Sequence, residues 1–264
     1  LTTTTPKLIV TDLDGTLLTP DSKITARTAS VIQKCRDAGH LFIFATGRPP
    51  RSTVDFVKRL APDGGVVNNG TYVYFRGNVI LEQTITLDFA GEMIGEFLSH
   101  GLRFDADFGA YGLTNHPGYL EWQGWGDTMT RFCDFADCPA AGWRGVQKFA
   151  VEADDYRLLE EIISFEKYGC RLIPSYTNEW HMVMPEGADK ARGVRAICEY
   201  AKVDVADAIC FGDDCNDIGM LRECGLGVAM ENAGDIVKGA ARAVAPPNTE
   251  DGVAVWLEEN LLNI

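Results

Sequence analysis

The chain has 264 residues, 46% of them hydrophobic, which is enough to fill the core of one large domain or two modest ones. Its 24 basic and 38 acidic residues leave a formal charge of −14, which repels nucleic acid and anionic membrane and means that an anionic ligand must be drawn in by a local cationic site. The sequence has no apolar run of the about 18 residues a membrane span needs, and Leu1 to Thr5 lacks the regions of a signal peptide, so the expectation is a cytoplasmic protein. A monomer or weak homodimer is the default expectation, which no residue pattern decides.

The first element is a short apolar strand from Leu8 that breaks into a turn through Asp12-Leu13-Asp14-Gly15-Thr16. Side chains alternate along a strand, so Asp12 and Asp14 share a face as the chain leaves the sheet, and two like charges there require a cation or a shared proton. Ser22 or Thr25 can cap a helix that buries Ala29, Ile32 and Cys35 and ends at Gly39. A buried strand from Leu41 to Ala45 runs into Thr46-Gly47-Arg48-Pro49-Pro50, and a helix from about Ser52 to Leu60 turns Val54, Val57 and Leu60 to one face. Gly65 to Gly70 reads as a third strand with a turn. This alternation predicts parallel strands joined by right-handed crossovers. Tyr72 to Phe75 and Val79 to Leu81, around Arg76-Gly77-Asn78, read as a β-hairpin.

The alternation then loosens. A helix near Phe89 to His100, short strands and loops to Trp143, and a strand at Val146 to Glu152 precede a helix capped by Asp154 and Asp155 that carries Leu158, Leu159, Ile162 and Ile163. Two strands then meet at Thr177-Asn178-Glu179. The rhythm returns with a helix capped by Asp189 that buries Val194, Ile197 and Ala201, and continues with the strand Ala208 to Phe211, the helix Asp217 to Glu223, the strand Leu226 to Ala229, and helices near 233–240 and 252–261. The expected fold class is α/β, a Rossmann-like doubly wound parallel sheet formed by residues 1–82 and 188–264, with an inserted α+β domain over 83–187.

The eight cysteines, at 35, 133, 138, 170, 198, 210, 215 and 224, show no Cys-x-x-Cys spacing and read as free thiols. Asn69-Gly70-Thr71 fits a glycosylation sequon, taken as chance without a secretory signal.

In an open parallel sheet, ligands bind outside the carboxyl ends of the strands. Asp12 and Asp14 end the first strand there, Thr46 ends the second, and Gly212-Asp213-Asp214-Cys215-Asn216-Asp217 follows the strand ending at Phe211. Lys190 enters from the first turn of its helix, where the dipole alone does not favour an ammonium. Each motif has a bland reading: an Asp capping a glycine turn, a solvated Lys, an acidic helix N-terminus. Together, in this order, they resemble the haloacid dehalogenase-like superfamily, specifically its Cof-type sugar-phosphate phosphatases, over almost the whole chain. Asn69-Gly70 looks like the family's turn before its cap domain, with Thr71 where Ala is usual, and Thr249 to Ala254 looks like its C-terminal signature.

The resemblance implies a Mg²⁺-dependent phosphatase acting on a small phosphorylated metabolite, expected to be a sugar phosphate. Asp12 is then the nucleophile and Asp14 the general acid and base. Thr46 and Lys190 assist catalysis, and Asp12, Asp14 (by its backbone carbonyl), Asp213 and Asp217 provide the metal site. Gly47, Arg48 and Asn216 are candidate phosphate or substrate contacts, and Asn216 and Asp217 either support the metal and Lys190 or reach metal or phosphate themselves. Tyr111, Tyr119, Trp122, Trp125, Trp180 and His181 are candidates for packing the inserted domain or for touching a sugar. A phosphomutase of the same superfamily, or a regulator that binds phosphate esters without turnover, are the alternatives.

Overall fold

A computed structural model describes residues 6–117, 129–135, 145–174 and 179–262. Tyr119, Trp122, Trp125 and Trp143, and residues 177 and 178 of the expected turn, lie outside the described residues. The chain divides into two compact units, one of residues 1–48, 53–81 and 189–264 and the other of residues 49–52 and 82–188.

The first unit is built on an eight-stranded sheet. Its strands are β1 (Leu8–Thr11), β2 (Leu41–Ala45), β3 (Gly64–Val67), β4 (Tyr72–Phe75), β5 (Asn78–Glu82), β12 (Ala208–Gly212), β13 (Leu226–Met230) and β14 (Ala243–Ala245). The order is β14-β13-β12-β1-β2-β3-β4-β5. The six strands from β14 to β3 pair in parallel, and β4 joins β3 antiparallel. The turn of the β4–β5 hairpin uses Arg76 and Gly77 at φ +47 and +80, the left-handed geometry that matches strand twist in a tight hairpin. The edge strand β14 has no counterpart in the sequence reading, because three residues are too few to show a period.

Apolar residues cover both faces of the sheet, as the near-continuous hydrophobic runs of parallel strands require. On one face, Ile9, Phe42, Phe44, Phe211 and Val228 pack with helices α1 (Ala26–Asp37) and α2 (Val54–Leu60) and with a late helix, Gly252–Leu257. On the other, Leu8, Val10, Ile43 and Val66 meet α5 (Lys190–Ala201) and α6 (Ile218–Glu223). The remaining helices are α3 (Leu87–Ser99) and α4 (Tyr156–Ile162) in the second unit, and the short α7 (Asp235–Lys238), which makes Gly252–Leu257 α8. Thr25, not Ser22, caps α1, accepting the N–H of Thr28 at 3.0 Å. Val54 is 46% exposed and so does not join the buried face expected for its helix.

The expectation of eight free thiols is corrected at one pair. Cys210 on β12 and Cys224 at the end of α6 form a disulfide with a Cα–Cα distance of 6.4 Å. Helix α6 folds back over β12 and returns the chain beside the strand it left, a proximity that linear spacing does not show. Cys35, Cys170, Cys198 and Cys215 are free. Asn69 and Thr71 are buried, so the sequon lies in the core.

The second unit carries a six-stranded sheet of order β10-β11-β9-β6-β7-β8, with β6 (Phe104–Asp107), β7 (Gly112–Thr114), β8 (Thr130–Phe132), β9 (Lys148–Glu152), β10 (Cys170–Ile173) and β11 (Trp180–Pro185). Phe104, Ala106, Phe149 and Val151 pack with Ala90, Met93 and Phe97 of α3 and Leu159 of α4. Leu158 and Ile162 of α4 face outward, at 53% and 40% exposed. By the period of two, Asp105, Asp107 and Lys148 fall on the opposite sheet face, where Arg51 pairs with Asp107 at 2.9 Å. His181 is buried with Nε2 at 3.0 Å from the Ala153 carbonyl, and Tyr111 stacks on Phe108, so both have packing roles. Among the described residues, no helix is long and apolar enough to cross a membrane.

Asp105 has a buried oxygen with no hydrogen-bond partner among the described residues, and burial pushes its carboxyl from the ordinary 3.8 up to about 7. A carboxyl raised by folding keeps a proton that the unfolded chain has already released, so its contribution to stability falls as pH rises through that window. Asp105→Asn is expected to make the decline in urea stability between about pH 5 and pH 8 shallower, and to stabilise the protein at the upper end by on the order of 2 kcal/mol. An unchanged slope would count against this role.

Candidate functional site

Strands β1 and β12 are neighbours in register, Thr11 opposite Phe211, so the residues that follow them leave the sheet side by side. Asp12 is tied to that edge by its N–H, which donates to the Phe211 carbonyl at 3.0 Å. The turn after it closes when Leu18 N–H reaches the Leu13 carbonyl at 2.8 Å, and it depends on Gly15 at φ +77. A Cβ on residue 15 would stand 2.1 Å from Asp213 Oδ2, so the position needs glycine both for its backbone and for its neighbour. Thr16 Oγ1 then donates to Asp213 Oδ1 at 2.6 Å.

The loop after β12 is organised by two carboxylates. Asp214 caps the turn at Cys215–Asp217, while Asp217 Oδ2 accepts the N–H groups of Asp213 at 3.0 Å and Asp214 at 3.1 Å. These bonds turn Asp217 inward, fully buried, with Oδ1 left for another partner. That partner is Lys190. Its helix, α5, is capped by Asp189, which accepts the Arg192 N–H at 2.7 Å. Gly70, at φ +94, lies so close that a Cβ would fall 2.1 Å from the Asp189 carbonyl oxygen. Lys190 Nζ donates to Asp12 Oδ1 and to Asp217 Oδ1, each at 2.7 Å, with its side chain 1% exposed.

Asp12, Asp213 and Asp217 each bring an oxygen within 4.8 Å of the others, a donor set that could hold a metal ion. The electrostatics agree with that use. Burial raises the Asp12 carboxyl well above its ordinary range, and the charges of Asp217 and Asp213 add to the rise while Lys190 opposes it. Asp213 is pushed up to about 7, by burial first and then by Asp217, against the hydrogen bond from Thr16. For Lys190, burial favours the neutral amine, but Asp12 and Asp217 together outweigh it and keep the ammonium charged. Three carboxylates against one ammonium leave an excess of negative charge that a divalent cation would balance.

The other expected residues fall into two smaller groups. Thr46 is buried, its N–H donating to the Val66 carbonyl at 2.8 Å and its hydroxyl accepting the Arg48 N–H at 3.1 Å. Asn216 Nδ2 donates to Asn69 Oδ1 at 2.9 Å, and its own buried Oδ1 has no hydrogen-bond partner among the described residues. Asn69 also stands over Gly47, where a Cβ would approach its Oδ1 to 3.3 Å. This place for Asn69 was not anticipated. The signal for it was the Asn-Gly pair at a strand end, where a polar side chain is held over a turn, and Asn69 adopts φ +53 there. Arg48 grips the Asp14 carboxylate at 2.7 and 2.5 Å. Asp12 and Asp14 therefore have different cationic partners.

Residues 9–257 match the model of the haloacid dehalogenase-like hydrolases. Pyridoxal phosphate phosphatase YbhA of Escherichia coli is 30% identical over 98% of this chain and 100% of its own length. The Bacillus subtilis protein YitU, named a 5-amino-6-(5-phospho-D-ribitylamino)uracil phosphatase, is 28% identical over 97% of this chain and 98% of its own. Among solved structures, TM0651 from Thermotoga maritima superposes with a TM-score of 0.84 at 26% identity, covering 97% of each chain. With the family model spanning both the early and the late motifs and the parallel sheet carrying them to one edge, the chain belongs to the haloacid dehalogenase-like hydrolases.

Proposed function

We propose that the chain is a Mg²⁺-dependent phosphatase that hydrolyses small phosphate monoesters, sugar phosphates foremost, through an aspartyl-phosphate on Asp12. The observation that carries this reading is the Lys190 ammonium held 2.7 Å from both Asp12 and Asp217, in a cluster completed by Asp213. Lys190 engages Asp12 Oδ1, which leaves Oδ2 to form the bond to phosphorus as the ester oxygen departs. Asp14 supplies the proton that the departing oxygen needs. In the second half, water attacks the aspartyl-phosphate at phosphorus, Asp14 takes the proton from that water, and phosphate leaves with Asp12 restored. Ester and water become alcohol and phosphate, and every group of the protein returns to its starting state.

Phosphoryl transfer depends mostly on alignment and on stabilising charge at the phosphate oxygens. Lys190, the Thr46 hydroxyl and the backbone N–H groups after Asp12 serve that purpose, each preorganised donor contributing about 3 kcal/mol at the transition state. Gly47 and Asn216 line the phosphate position. Asp12, Asp213 and Asp217 would hold Mg²⁺, with the Asp14 backbone carbonyl as a further oxygen donor, and hard carboxylate oxygens suit that ion. When bound, the ion supplies positive charge to the phosphate oxygens. The names of two relatives support the substrate class, since pyridoxal phosphate and a phosphoribitylamino-uracil are both small phosphate monoesters. Residues 83–187 are assigned the choice among such esters.

The test is phosphate release from a panel of sugar phosphates, pyridoxal phosphate and other small esters, with Mg²⁺ and with chelator. Release is expected to require Mg²⁺, and Asp12→Asn should lower it by about 10³-fold or more without loss of fold. Wild-type turnover in Asp12→Asn would falsify the mechanism. A second outcome concerns pH. In chelator, folded Asp12 and Asp213 retain protons that the unfolded chain has lost, so stability should fall as pH rises from the ordinary carboxylate range toward about 7. Mg²⁺ takes the place of those protons, and the rise in Tm it causes is expected to be larger at about pH 8 than at about pH 5.5. Scanning calorimetry that finds equal rises at both pH values would remove Asp12 and Asp213 from the metal site.

A further inference from the structure

The Asp14 carboxylate is held at two points. Arg48 Nε donates to Oδ2 at 2.7 Å and Nη2 donates to Oδ1 at 2.5 Å, the paired geometry in which guanidinium and carboxylate are most firmly oriented. The two ends differ in exposure: the Arg48 side chain is 2% exposed and the Asp14 side chain 39%. Arg48 is itself fixed on several sides. Its guanidinium carbon lies 5.1 Å from the centroid of the Phe56 ring and Nη2 reaches Ser22 Oγ at 3.3 Å. Its backbone N–H donates to Thr46 Oγ1 at 3.1 Å and its carbonyl accepts the Asn68 N–H at 2.9 Å. A buried, immobilised cation thus holds a carboxylate that solvent can reach.

We propose that Arg48 is a positioning residue that acts through Asp14, aiming its carboxyl group for proton exchange with the departing ester oxygen and the attacking water, and that it is not a phosphate ligand. The inference rests on the reading of Asp14 as the acid and base of a phosphatase. Asp12 is oriented by Lys190, so loss of Arg48 leaves the nucleophile and its cation in place and disturbs only the proton-transfer group. Geometry supports this division. A guanidinium spending Nε and Nη2 on one carboxylate has its best two-point face occupied, whereas a phosphate ligand would present that face to the substrate.

Such a role has a signature that neither a phosphate contact nor a purely structural residue would give. An alkoxide leaving group needs a proton as the bond to phosphorus breaks, while 4-nitrophenolate leaves without one. In Arg48→Met, kcat/KM for an alkyl ester such as glycerol 2-phosphate is expected to fall about 10²-fold, and that for 4-nitrophenyl phosphate by no more than several-fold. Arg48→Lys, which keeps the charge but loses the two-point hold, should fall between Arg48→Met and wild type on the alkyl ester. If Arg48→Met does not fold, Arg48→Lys and Phe56→Leu carry the same comparison, with a smaller but equally selective loss expected from each. Inhibition by inorganic phosphate should stay close to the wild-type value. Equal losses on both esters, or weakened phosphate inhibition in step with kcat/KM, would overturn the proposal and make Arg48 a phosphate ligand or a structural residue. Full alkyl-ester turnover in Asp14→Asn would instead overturn the assignment of Asp14 itself, a separate failure that lies in the mechanism.

Discussion

A buried ammonium between two carboxylates is the constraint to which the rest of the first unit answers. Lys190 lies 178 residues from Asp12 and 27 from Asp217 in the chain, and all three are withdrawn from water. Burying charges is costly unless each is paired and hydrogen-bonded, and removing one partner from such a group costs about 3–5 kcal/mol. Several backbone features follow from meeting this requirement. Strand β12 lies beside β1 in parallel register, the loop N–H groups of Asp213 and Asp214 turn Asp217 inward, and the close approach of Gly70 to Asp189 supports the start of α5.

The same cluster explains how a protein of charge −14 could receive an anion. Lys190 by itself offers little attraction, because Asp12 and Asp217 already surround it. Asp12, Asp213 and Asp217 set against Lys190 leave a net deficit of positive charge, so in the proposed reading attraction for a phosphate group would come from a cation that completes the set. In the proposed phosphatase, binding of metal and binding of anion would thereby be linked in one site. The two aspartates of Asp-x-Asp then separate by their partners, Asp12 with Lys190 deep in the cluster and Asp14 with Arg48 where solvent reaches it.

Much of this was legible in the amino acids, and what was not has identifiable causes. Apolar runs such as Leu41 to Ala45 mark buried parallel strands directly, and Asp189 before an amphipathic stretch marks the start of α5, so the strand ends and the residues on them could be read in order. Side-chain direction across a loop leaves no trace in spacing, so the grip of Arg48, expected as a phosphate or substrate contact, on Asp14 could not be read in advance. Partners that meet through a returning helix are equally silent, as with Cys210 and Cys224. Periodicity also fails where elements are short or one-sided. Ala243–Ala245 is too brief to show alternation, and Val54 satisfies a helical spacing yet points outward. In the second unit, aromatic composition suggested both packing and recognition, and only position could separate them. His181 proved to be bound to the Ala153 carbonyl within the sheet layer.

The register of β1 against β12 also has a consequence in time. Leu8 to Thr11 are made long before Ala208 to Phe211, so this parallel pair inside the large sheet joins segments far apart in the sequence. Contacts of such long range are the slow ones in folding. The contiguous stretch from 82 to 188 is complete before β12 exists and can gather its own core while β1, β2 and β3 wait with one sheet edge unpaired. The cluster of Asp12, Lys190, Asp213 and Asp217 is therefore complete only after residue 217 has emerged, later than the stretch from 82 to 188 that can gather a core of its own.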